Sequence, residues 1–306
     1  MNGRKVFSIL GWAYVVLLVI SVIVQSLIGT AAEFMPSGWQ DILYNPNVLM
    51  VLSQASMYLA GFPVFYYMIR RLPVWRLSEK KTIRPGQMIF LAVFCLGFSY
   101  IGSFVGNTLM TVWDFFFGIQ TMNPVEHAIE NLHPAIMILT TVIVAPIMEE
   151  LLFRKFLIDR IIPYGQKFAV IISGIGFGFF HGNLFQFFYA WILGMIFAYI
   201  YSSTGKIKYN IFLHMFINIT GGLIPLLLTQ APDYMIWLQA AAGAFMGLFM
   251  LVTMTAAASM LCLWLPKLTW TGCWGLKPGE KKFRELFKAP GVWAFLLVCA
   301  VEFLIT

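Results

Sequence analysis

From Val6 to Ile28 the chain carries no charged side chain, and apolar runs of comparable length recur almost to its end. A run of about 20 apolar residues spans a bilayer as a helix, because only a helix satisfies its own backbone in hydrocarbon. That recurrence restricts the fold more than any other feature. With 60% hydrophobic and 11% charged residues among 306, the chain reads as all-α, a polytopic transmembrane helical bundle of about eight to nine spans. Spans are expected at about Val6–Ile28, Val48–Ile69, Met88–Val112, Ala135–Leu157, Phe168–His181, Leu184–Tyr201, Tyr209–Leu228 and Ile236–Leu265. Val292–Ile305 is a ninth, short candidate. The first run is too long for the core of a cleavable signal and reads as a retained anchor.

Alternating these spans places all 20 Lys and Arg residues on one side, leaving Thr30–Asn47 and Trp113–Pro134 without any. This positive-inside pattern puts the N-terminus in the cytoplasm of a multi-pass protein, expected in a bacterial plasma membrane. The net charge of +7 is thereby a topology signal, and nucleic acid is not an expected partner. The basic, Trp-containing stretch from Lys267 to Lys288 reads as interfacial, on an anionic leaflet. Cys95, Cys262, Cys273 and Cys299 show neither a CxxC pair nor metal-ligand spacing. Glu126-His127 lacks helical His spacing and reads as solvated loop. Gly102 and Gly106, four apart, and Gly174, Gly176 and Gly178 are small residues of the kind that let helices approach in lipid, although such glycines also occur by chance in a Gly-rich chain.

Against this background, three polar sites inside apolar runs stand out. Glu149 and Glu150 follow Pro146 in the fourth span. Each intramembrane carboxylate costs roughly 2.5–3.5 kcal/mol even on a lenient scale, so the pair must be partnered, wetted or used. Glu150 lies four residues before Arg154, on one helix face and in the favourable orientation for an ion pair. Glu149 is rotated away and has no partner in its own helix. His181 follows Phe177 by four residues, and His214 and Asn218 share a face of the seventh span. Pro146 is expected to bend its helix. A glutamate as general base, histidines to orient water, and a histidine and an amide as oxyanion donors together supply what amide hydrolysis needs. Two histidines and a glutamate equally suit Zn²⁺ with an open position, through Glu149, His181 and His214; no cofactor is favoured, and residue types alone do not separate the two.

These motifs, EExxxR, FxxxH and HxxxN in order on successive helices, resemble those of the CPBP family of intramembrane proteases. That family includes the CAAX prenyl endopeptidases of the Rce1 type and Abi-like bacterial proteins named for bacteriocin processing. The resemblance covers about Ile136 to Thr220. It implies that Glu149 activates water with His181 beside it, that His214 and Asn218 act as oxyanion donors or further ligands, and that Glu150 and Arg154 are structural support. It divides the chain into N-terminal helices (1–134), a catalytic core (135–228) and a C-terminal part (229–306). The implied substrate is a membrane-anchored peptide or protein, prenylated or leader-type, cut near the cytoplasmic face. A wet cavity opening to the cytoplasm is expected among the fourth, fifth and seventh spans. Two rival readings are an ion-coupled transporter, which predicts repeats of hydropathy that the chain lacks, and a non-catalytic scaffold, which predicts that Glu149 is dispensable.

Overall fold

The computed structural model describes residues 2–77, 82–124, 131–229, 236–272 and 281–305. Glu126, His127, Cys273, Trp274, Lys277, Lys80 and Lys81 lie outside the described residues. Among those described the chain is helical, with no strand. In order the helices are α1 (Gly3–Glu33), α2 (Ser37–Leu43), α3 (Pro46–Ile69), α4 (Pro85–Phe117), α5 (Pro134–Tyr164), α6 (Gln166–Phe180) and α7 (Leu184–Thr204). Then come α8 (Ile207–Asn218, running on through Ile219–Leu223 and Ile224–Thr229), α9 (Ile236–Trp264), α10 (Lys282–Phe287) and α11 (Pro290–Ile305). Six of them, α1, α3, α4, α5, α7 and α9, are long and apolar enough to cross a membrane; α6 and α11 are apolar but shorter. The protein is an integral membrane protein.

Several boundaries differ from expectation, with α1 and α4 running on to Glu33 and Phe117. The segment after Glu33 contains the short helix α2, and α5 runs on past Leu157 to Tyr164. That extension is held by tertiary bonds which sequence periodicity does not report. Arg160, read as a loop cation, is buried and donates to the carbonyls of Ile69 and Phe156. Asp159 accepts from Tyr201 Oη at 2.8 Å and pairs with Lys155 at 3.0 Å.

Three helices widen by one residue just before a proline. Phe62 donates to the Met57 carbonyl, Ala145 to that of Thr140, and Ile224 to that of Ile219, each five residues back. Pro63, Pro146 and Pro225 follow directly. A proline in a regular helix collides with the carbonyl four residues back and supplies no N–H; a widened turn relieves both problems without ending the helix. The bend expected at Pro146 is thus absorbed by widening. A further widened stretch, Leu151–Ile158, is braced from outside: Tyr14 donates to the Leu152 carbonyl and Ser173 to that of Phe153, both at 2.9 Å.

Close glycine contacts set how the helices nest. A Cβ on Gly102 would lie 2.4 Å from Tyr189 Cα, and one on Gly106 would lie 2.7 Å from the Leu184 carbonyl oxygen. The pair therefore is a contact surface, where α4 meets α7. Gly174 and Gly178 do the same between α6 and α7, whereas Gly176 faces only Phe153 at 3.7 Å. Two buried layers result. One is built on α1, α3, α5, α6 and α11, around Phe7, Tyr14, Phe65, Phe153 and Phe177. The other joins α4, α7 and α8 through Cys95, Phe197 and Leu213. The polar cluster lies at their junction. On α9 only Thr253 and Ala257 are fully buried; with Phe249, Met250 and Met254 they form the side packed on α4, and the opposite side is exposed.

Candidate active site

The cluster is built from α5, α6 and α8. Glu150 is completely buried, and its carboxylate meets one ion-pair partner and two hydrogen-bond partners. Arg154 Nε lies 3.0 Å from Oε2, Asn210 Nδ2 donates to Oε2 at 3.2 Å, and His214 Nδ1 lies 3.2 Å from Oε1. A carboxylate is acceptor-only, so Nδ1 of His214 carries a proton and donates. In the neutral ring this leaves Nε2 as the free lone pair. Nε2 in turn points at Glu149, 3.6 Å from Oε2. The result is a carboxylate–imidazole–carboxylate chain, buried at Glu150 and 15% exposed at Glu149. Sequence spacing pairs Glu150 with Arg154, as found, but does not reveal that the same acid also orients His214.

Arg154 is fully buried, with its guanidinium carbon 4.7 Å from the Phe177 ring centre and 5.6 Å from that of Phe197. Its charge is balanced by Glu150 and spread over two aromatic faces. Phe177 also contacts both histidines edge-on, at 4.8 Å from His181 and 5.8 Å from His214. Its carbonyl accepts from His181 Nδ1 at 2.8 Å, which fixes that ring and leaves Nε2 available. His181 stands just beyond the end of α6, within electrostatic range of Glu149 and His214. The FxxxH spacing therefore has a structural content: one phenylalanine supports the imidazole by an edge-on ring contact and by its carbonyl.

Asn218 donates to the Thr141 carbonyl at 2.8 Å. In the widened register of α5 the intrahelical donor to that carbonyl would be Pro146, which has no N–H. The amide thus supplies the bond that the proline cannot, on the wall that carries Glu149, and one N–H of the same amide group is left to serve elsewhere. Asn210, His214 and Asn218 recur every four residues and form one polar stripe on α8. The reading from sequence missed Asn210; its place four residues before His214 was the available signal.

A cavity of about 460 Å³ lies elsewhere than expected, between α1, α2 and α3, lined by Gln25, Gly29, Tyr44, Met50, Ser53 and Asn131 among others. It is toward the end of α1 remote from Arg4 and does not include α6 or α8. Among the described residues no three His, Cys, Asp or Glu side chains converge as a metal set. His214 Nδ1 is taken by Glu150, and the Phe177 ring touches both imidazoles. With Nδ1 of His214 on Glu150 and Nδ1 of His181 on the Phe177 carbonyl, Nε2 of each ring is left open, an arrangement that serves water or a metal alike, and no step below is routed through a metal.

Fold and site together define a polytopic helical membrane protein with a buried, ordered Glu–His–Glu chain. Residues 131–220 match the model of the family described as type II CAAX prenyl endopeptidase Rce1-like. All seven residues of the three motifs fall inside that segment, and the resemblance drawn from them is borne out there. Over 154 residues, 48% of this chain, it is 30% identical to a Bacillus subtilis (strain 168) protein named "Putative membrane peptidase YdiL", covering 63% of that protein. Over 212 residues, 64% of this chain, it is 24% identical to an uncharacterized protein of Mycoplasma capricolum subsp. capricolum (strain California kid), covering 60% of it. In both cases the chain spans less than two thirds of the relative's length. No solved structure matches the chain.

Proposed function

We propose that the chain is an intramembrane endopeptidase that hydrolyses a peptide bond of a membrane-associated substrate, with Glu149 and His214 sharing the attacking water. The observation that carries this reading is the 3.6 Å approach of His214 Nε2 to Glu149, with the opposite ring nitrogen held by a buried carboxylate. A water seated against both groups finds an acceptor for each of its hydrogens. As its oxygen attacks the carbonyl carbon, one proton passes to Glu149 and the oxyanion forms. The Asn218 amide donates to that oxyanion, while His214 Nε2 accepts the water's second hydrogen and takes up that proton as the product carboxylic acid ionises. Glu150 stabilises the imidazolium across Nδ1, and Arg154 compensates Glu150. Collapse breaks the C–N bond, and the amine leaves with the proton that Glu149 held. His181, held by the Phe177 carbonyl, completes the polar wall beside the water in this reading.

Glu149 precedes Lys155 by six residues, about 9 Å along the helix. The scissile bond therefore lies near the basic end of the bundle, which suits a prenylated or leader-type peptide entering from the cytoplasmic leaflet. The orientation has its own test. Arg76→Cys, in the loop after α3, should react with a membrane-impermeant thiol reagent only after the membrane is opened; labelling in intact cells would overturn it. A second outcome is expected at Asn218→Ala, a loss of about 10²–10³-fold in kcat with KM nearly kept, read by steady-state kinetics on a peptide substrate. A rise confined to KM would remove Asn218 from the oxyanion role.

The decisive cellular experiment compares membrane peptides from cells carrying the wild type and Glu149→Gln. Fragments present with the first and missing with the second define the substrate. Identical peptide sets would favour a scaffold.

A further inference from the structure

The turn between α6 and α7 sits at a demanding depth. With 15 residues, α6 rises about 22 Å, less than a hydrocarbon core of about 30 Å. The turn therefore lies inside the membrane, where its backbone must find protein partners. Asn183 supplies some of them: its amide donates to the His181 carbonyl at 2.8 Å, and its oxygen accepts from the Gln186 N–H at 2.9 Å. Gly182 adopts φ +65°, a conformation other residues reach only with strain. Against its open face packs a side chain from the far end of the sequence. A Cβ added to Gly182 would lie 3.0 Å from Glu302 Oε2 and 3.2 Å from Glu302 Cβ.

Glu302 belongs to α11, outside residues 131–220 and outside every motif. It continues the stripe Gly291, Phe295, Cys299 that faces the bundle. Phe303 beside it meets both arms of the hairpin, at 5.8 Å from Phe179 and 5.8 Å from Phe187. α7 begins two residues after Gly182, and the start of a helix, with N–H groups lacking intrahelical acceptors, favours a nearby carboxylate. An acid in this apolar helix thus has a defined place to be.

We infer that Glu302 is a positioning residue: it clamps the Gly182 turn and thereby fixes where the His181 imidazole stands. The clamp rests on geometry; its consequence for cleavage rests on the protease reading above. The test therefore has two arms. Purified full-length protein is treated with diethyl pyrocarbonate, and acylation of each histidine is mapped by mass spectrometry. In Glu302→Ala the His181 rate should change about tenfold while that of exposed His133 holds. Cleavage of a membrane-anchored peptide should lose about tenfold in kcat with KM within about twofold, as a misplaced group predicts. Glu302→Gln, which preserves the shape, should recover most of both. If the alanine variant does not fold, Glu302→Asp carries the test, with a change of about threefold in the same direction. Unchanged His181 reactivity, or a cleavage defect confined to KM, overturns the clamp. A changed His181 rate in a protein whose wild type cleaves no peptide leaves the clamp standing and rejects the protease reading.

Discussion

Glu149→Gln should reduce peptide cleavage by about 10²–10⁴-fold, the usual consequence of losing a general base. Glutamine keeps the volume and the hydrogen-bonding reach of the side chain but cannot accept a proton from the attacking water. The fold should tolerate the change. Among the described residues Glu149 has an ion-pair contact at 3.6 Å with His214 and is partly open, whereas Glu150 carries the internal connections. The variant should therefore purify in wild-type yield and unfold at nearly the wild-type temperature. The measurement is cleavage of a fluorogenic membrane-anchored peptide in detergent, with a zinc chelator as a parallel arm. Cleavage at the wild-type rate by Glu149→Gln ends the assignment. Loss on chelation with recovery on added Zn²⁺ would keep hydrolysis and reject the metal-free water.

Much of this arrangement is legible in sequence because membranes simplify the problem. Backbone satisfaction forces helices, so apolar length locates α1, α3, α4 and α7, and the start of α5, within about five residues. The cost of intramembrane charge makes Glu149, Glu150, His181 and His214 conspicuous for the same reason. What stayed hidden depends on tertiary neighbours. The second duty of Glu150, as acceptor for His214 Nδ1, joins α5 to α8 and has no local signature. The contact of Glu302 with Gly182 joins residues more than a hundred positions apart. Widened turns before Pro63, Pro146 and Pro225 follow a rule simple enough to have been foreseen, since a proline inside an apolar run must be absorbed somehow. The extension of α5 past Leu157 was not foreseeable, because Arg160 and Asp159 read as loop charges until Ile69 and Tyr201 come within reach.

The other large effect is expected on stability, at Glu150 and Arg154. Both are completely buried, 3.0 Å apart, and each has lost its hydration. Removing one member strands the other, which typically costs about 3–5 kcal/mol. The two removals should differ. Arg154→Leu leaves Glu150 with donors from Asn210 and His214. Glu150→Gln leaves Arg154 with the rings of Phe177 and Phe197 and the more distant charge of Glu149, so it should be the more damaging. Combining the two removes the stranded charge as well as its partner. The double variant should therefore be more stable than Glu150→Gln alone, with a coupling energy within the range of about 0.5–3 kcal/mol found for contacting groups. Activity should not return with it, because a neutral amide in place of the Glu150 carboxylate still meets His214 Nδ1 but no longer stabilises the imidazolium. Equilibrium unfolding in mixed detergent micelles, run on all four proteins beside the peptide assay, separates these outcomes. Additive stabilities would show that the pair is not coupled. A double variant that cleaves at the wild-type rate would show that Glu150 has no part in setting His214.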